Sequence, residues 1–149
     1  MRKFLLFAML AFLLNEPAIC GESNVSPMLL EEIQNKTLRP FFNALKNGNV
    51  EQIKRFFSGK MYSEYRLLLE ENKGYPDLLR EYYKDAVFSV ERGITSDNRI
   101  IVDFSVEIPG KRKQVSQYIL QEQNIENVNH GQTDERLWRI TEQRHVQAK

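Results

Sequence analysis

The sequence predicts an α+β domain: N-terminal helices packed on a curved antiparallel sheet of about four strands, carried behind an export signal. Three observations predict it. Apolar residues recur at helical spacing from Leu30 to Tyr83. At about Ala86 the period changes to two, most clearly from Ile100 to Ile108. Runs of helices followed by runs of strands indicate α+β rather than an alternating α/β fold.

The N-terminus reads as a secretory signal over residues 1–20. Arg2 and Lys3 are followed by eleven uncharged apolar residues, Phe4 to Leu14. Asn15, Glu16 and Pro17 then break the run, and Ala18-Ile19-Cys20 precedes Gly21. That order is the layout of a cleavable signal, and the run falls short of the ~20 apolar residues of a membrane-spanning helix. The expected location is periplasmic or secreted. Cys20 opens a second route, lipid anchoring, although Pro17 and Ile19 depart from the usual lipoprotein site. Cys20 is the single cysteine, so a chain cut after it has neither a disulfide nor a thiolate metal site. Without residues 1–20 the chain has 19 basic and 19 acidic residues. That balance gives no electrostatic reason to expect nucleic acid or an anionic membrane surface as partner.

Residues 21–25 read as a flexible leader, and residues 26–147 as one domain. Ser26-Pro27 is a helix start, the serine as cap and the proline in the first turn. Leu30, Ile33, Thr37, Phe41 and Leu45 carry the stripe that follows. Pro40 must kink or divide it, since proline lacks the amide hydrogen and crowds the preceding turn. Gly48 closes this segment. Asn49 and Gln52 stand in capping-box spacing for the next, with Val50, Ile53 and Phe57 as its apolar side and Gly59 as its end. A third helix covers about Met61 to Asn72, with Met61, Tyr65, Leu68 and Leu69 inward. Pro76 opens a fourth, with Leu78, Leu79, Tyr82 and Tyr83 inward.

Strand signals follow. Phe88, Val90 and Ile94 alternate with more polar positions, and Ser96-Asp97-Asn98 is turn chemistry. Ile100, Val102, Phe104, Val106 and Ile108 then share one face, against Ile101, Asp103, Ser105 and Glu107 on the other. Pro109 to Lys113 is a hairpin turn, Gln114–Gln123 a third strand and Leu137–Val146 a fourth. The polar stretch from Asn124 to Arg136 between them is too long for a tight turn.

This order of elements resembles the nuclear transport factor 2-like fold, the cone-shaped domain shared with ketosteroid isomerases and polyketide cyclases. Three stretches carry the resemblance: Phe41 to Ile53 as the opening helix pair, Tyr82-Tyr83-Lys84-Asp85-Ala86 leading into the first long strand, and Leu137-Trp138-Arg139-Ile140 opening the last. One departure is the helical reading of Met61 to Asn72, where a short strand or hairpin often stands. The resemblance implies a pocket between helices and sheet, and it implies an isomerase, dehydratase or cyclase activity as one alternative.

The residues themselves favour binding over catalysis. His130 and His145 have no partner at a recognised ligand spacing, and no cofactor motif occurs. Isomerase chemistry needs a carboxylate base beside a phenol or protonated acid. Tyr62, Tyr65, Tyr82, Tyr83 and Tyr118 offer phenols, but the strand carboxylates Asp103 and Glu107 alternate with the apolar residues and point away from them. Phe41, Phe57, Tyr65, Tyr82, Phe88, Phe104 and Trp138 fall on inner faces. Of these, Tyr65, Tyr82, Phe88, Phe104 and Trp138 are the candidates to line a cavity for a small apolar ligand. The Ile101, Asp103, Ser105, Glu107 face is the candidate surface for a protein partner or a second copy. Lys111-Arg112-Lys113 reads as a solvated hairpin tip. Asn35-Lys36-Thr37 matches a glycosylation acceptor in a helical context.

Overall fold

In a computed structural model, residues 22–124 and 136–146 are described. The signal segment with Cys20, and most of the polar stretch with His130, lie outside them.

The helices run α1 (Pro27–Ile33), a π-helical turn (Gln34–Leu38), α2 (Arg39–Asn47), α3 (Val50–Phe56), α4 (Gly59–Glu70) and α5 (Tyr75–Tyr83). Ser26 caps α1 by accepting from the Leu29 amide at 3.3 Å. The π-turn absorbs Pro40. The Arg39 amide donates five residues back to Gln34, and Pro40 then occupies the first turn of α2, where no amide hydrogen is required. The turn carries the fully buried Thr37, whose hydroxyl donates to the Trp138 carbonyl at 3.1 Å. That position is the threonine of the glycosylation-like triplet, so its hydroxyl is already engaged in the interior.

Gly48 ends α2 in the left-handed conformation (φ 61°). A β-carbon there would lie 2.2 Å from the Pro76 carbonyl oxygen, so the glycine also lets α5 begin against the end of α2. Asn49 caps α3 through the Gln52 amide at 3.0 Å. Gly59 begins α4 instead of closing α3; α3 ends at Phe57, whose extended backbone bridges to Ile140. Met61 and Leu69 of α4 are buried, but Leu68 and, on α5, Leu78 are exposed. Only a narrow stripe of α5 (Tyr75, Leu79, Tyr83) faces inward. Leu78 sits about 100° around the helix from Leu79 and misses it.

The sheet is a five-stranded antiparallel meander in the order β1 (Ser23–Asn24), β2 (Val87–Ser96), β3 (Arg99–Glu107), β4 (Gln114–Asn124), β5 (Arg136–His145). The added strand is β1. Ser23 and Asn24, expected in a flexible leader, pair with Thr95 and Ile94, and Val25 behind them is buried. Asp97 and Asn98, both at positive φ, make the two-residue turn between β2 and β3. At the far edge the Ser58 amide donates to the Ile140 carbonyl at 3.0 Å, which covers part of β5.

A bulge in β2 corrects one expectation. Val90 pairs with Phe104 and Arg92 with Asp103, leaving Glu91 as the extra residue. The alternation shifts by one beyond it. Gly93 takes the inner position against Leu30 and Val25, and Ile94 stands on the outer face beside Ile101 rather than with Phe88 and Val90. Ile100, Val102, Phe104 and Val106 are buried against the helices as expected.

Candidate functional site

Between the helices and the inner sheet face lies a cavity of about 70 Å³. Phe41, Phe57, Phe88 and Phe104 supply its aromatic floor. Around them stand four tyrosines, Tyr65 from α4, Tyr75 and Tyr83 from α5 and Tyr118 from β4, with Gln114, Ser116 and Gln143 from the sheet. Each arrives by simple geometry. Tyr75 and Tyr83 are two turns apart on one helix face, and Gln114, Ser116 and Tyr118 alternate inward along one strand.

Tyr118 is the central group. Its ring stacks on Phe104 with centroids 3.9 Å apart and meets Phe41 edge-on at 5.7 Å. The side chain is 4% exposed, and its hydroxyl bonds to no described residue. Burial, then the neighbouring Tyr83, Tyr65 and Tyr75, push its pKa well above the ordinary phenol value. Tyr83 is pushed up to about 12, again by burial first and then by Tyr82, Tyr75 and Tyr65. Burial, then Tyr65, raises Tyr75. Tyr75, Tyr83 and Tyr118 thus each have their ionised form disfavoured by burial and by neighbouring phenols, and these three stay neutral at ordinary pH.

Among the described residues the lining contains no Asp, Glu, Lys, Arg or His. Tyr62 donates to the Glu70 carboxylate, but neither residue lines the cavity. Asp103 is on the outer sheet face, held by Arg92 at 3.0 Å and Gln117 at 2.7 Å. Glu107 is 58% exposed and 3.5 Å from Lys113. His145 meets Ser116 at 3.5 Å at the end of β5. No three His, Cys, Asp or Glu side chains among the described residues group as metal ligands.

A scan of family models, a search of curated proteins and a search of solved structures return no match to this chain. The site is therefore defined by its own chemistry.

Of the five expected lining residues, the cavity brings together Tyr65, Phe88 and Phe104. Tyr82 faces outward instead, with the Lys111 ammonium 3.8 Å from its ring centroid. Tyr82 and Tyr83 cannot both point inward from adjacent helical positions, and Tyr83 takes the inner one. Trp138 is buried but does not line the cavity; it lies beneath the π-turn. Tyr75, Tyr83, Tyr118 and the three polar sheet residues are the additions. A strict two-residue alternation from Gln114 marks Ser116, Tyr118 and Leu120 as one face, but Ile119 on the opposite phase blurs that signal.

Proposed function

We propose that this domain binds a small uncharged ligand at the tyrosine-lined cavity, without catalysing a reaction on it. The observation that carries this is the composition of the lining: phenols, amides and a hydroxyl over aromatic rings, with no ionised group. A carboxylate base would have to lie within hydrogen-bond reach of a bound substrate, and the nearest candidates face elsewhere. Phenol, amide and hydroxyl hydrogens favour a hydrogen-bond acceptor such as a carbonyl. The volume limits how much enters. An engineered cavity of about 150 Å³ takes a benzene, so this one accepts a head group of a few atoms, with the rest of the ligand at the mouth against Tyr65 and Tyr75.

The test is an amide-resolved NMR titration with small neutral ketones and their charged carboxylate analogues. Saturable shifts at Gln114, Ser116 and Gln143 with the ketones alone are expected. Equal response to the charged analogues, or none to either, would sink the reading. The resemblance to nuclear transport factor 2-like domains supports a pocket in this position. The basic-apolar order of residues 2–14 supports export, and the mass of the mature N-terminus would separate cleavage from lipidation at Cys20.

The outer sheet face favours a second, compatible reading, a homodimer. The bulge brings Ile94 beside Ile101, two half-buried apolar side chains on that face, with the buried Ile119 opposite Ile101 on the next strand. Sedimentation at high concentration showing only monomer would remove it.

A further inference from the structure

A second concavity lies outside the interior cavity, between α2 and the start of β2, with a volume of about 300 Å³. That is within the range of small-molecule sites. Its floor is the stacked pair Phe42 and Phe88, with centroids 4.3 Å apart and ring planes 7° from parallel. Val90 extends the apolar surface. Arg39, Asn43 and Lys46 line it from one stripe of α2, at i, i+4 and i+7, which sets the two cations about 10 Å apart along the helix. The Lys46 ammonium is 5.8 Å from the Phe88 ring centroid. Neither Arg39 nor Lys46 has a carboxylate partner among the described residues, and no Asp or Glu lines the groove.

We infer that this groove binds an organic carboxylate with a flat apolar body. Phe88, half-buried and backed by the buried Phe42, offers the exposed part of the floor, and a ring or short alkyl body laid against it loses its apolar surface. Arg39 presents the fork that pairs with a carboxylate through two hydrogen bonds, and Lys46 adds a second positive charge over the same floor. Eight other basic side chains on the described surface are paired with Asp or Glu; Arg39 and Lys46 are not, so both remain open to an incoming anion. The groove shares Phe88 with the interior cavity, but its two cations set it apart from that lining, which is uncharged.

The experiment is an amide-resolved NMR titration of the protein with naphthoate and, in parallel, with the neutral naphthalene methanol. Saturable shifts at Asn43, Lys46, Val87 and Val90 are expected with naphthoate, and an affinity about fivefold weaker for the alcohol, as for one partly exposed charge-assisted contact. Arg39→Gln, on an exposed side chain, should weaken naphthoate about fivefold and leave the alcohol unchanged; adding Lys46→Gln should take the loss to about tenfold, or 1.4 kcal/mol. Equal affinity for acid and alcohol overturns the proposal. So does a double variant that binds naphthoate as tightly as the parent. Shifts confined to Ser116, Tyr118 and Gln143 would place the ligand in the interior cavity and overturn it as well, while leaving the reading of that cavity standing.

Discussion

Replacing Tyr118 by phenylalanine isolates one oxygen at the centre of the cavity. The ring contacts survive, including the stack on Phe104 at 3.9 Å and the edge contact with Phe41 at 5.7 Å. What is removed is a hydroxyl that bonds to no described residue in a side chain 4% exposed. Burying such a group fully and without a partner costs about 1–3 kcal/mol in proteins, but among the described residues the fully buried unpartnered side-chain atoms are Ser58 Oγ and Arg139 Nε, so the Tyr118 oxygen keeps access to the cavity. The cavity of about 70 Å³ admits water, which partly offsets this cost, so the lower end applies. Tyr118→Phe should therefore stabilise the fold by about 1 kcal/mol, raising Tm by about 4 °C for a domain of this size. Affinity for a carbonyl ligand should fall about five- to tenfold, the value of one net hydrogen bond. Urea and thermal unfolding at neutral pH give the first number, and the ketone titration gives the second. A phenylalanine variant less stable than the parent by 1 kcal/mol or more would refute the reasoning, because the hydroxyl would then be bonded in the fold.

Three other perturbations probe the same fold. Gly48→Ala should cost about 2 kcal/mol or more in unfolding free energy, since the added carbon meets both a positive φ and the Pro76 carbonyl at 2.2 Å. A loss within 0.5 kcal/mol would mean that the start of α5 yields freely. Thr37→Val keeps the shape and removes the donor to Trp138, and it should lower stability by about 1–2 kcal/mol with a change in the emission of the single tryptophan. Alkaline pH should destabilise the fold. Tyr83 and Tyr118 have folded pKa values raised above the unfolded value of 10. Above pH 10 the unfolded chain ionises first, and stability declines until the folded phenols titrate too. A flat unfolding midpoint between pH 9 and 12 would contradict the buried phenol cluster.

Much of the fold was legible because it rests on local signals. Ser26-Pro27, Asn49 with Gln52 and Asp97-Asn98 each act through their own backbone, and the alternation from Ile100 to Val106 is uninterrupted. What escaped depends on contacts between distant segments. Ser23 and Asn24 are a strand only because β2 offers them an edge. The bulge at Glu91 is absent from the residue pattern, and it reverses the face of Ile94. The same limit governs the cavity. Phe88 and Phe104 were readable from strand alternation, but Tyr82 and Tyr83 are adjacent on a helix, and only the packing of α5 decides which turns inward. Tyr75 begins α5, but in the sequence it follows Lys73-Gly74, which reads as a turn, and carries no sign of burial.

The hydrogen bond from Thr37 to Trp138 joins residues 101 positions apart, and the Phe57–Ile140 bridge joins the same two regions. Those closures couple the helical half to the last strand. Until β5 is in place, the apolar side of α2 with Phe41 and Leu45 has an incomplete sheet to cover it. Contacts of such long sequence separation slow folding relative to local ones, and the exposed aromatic surface is what a chaperone or an aggregate would meet. The domain should then behave as one cooperative unit that commits late in synthesis, with no stable half. A chain ending before Arg136 would be degraded or insoluble rather than partly active.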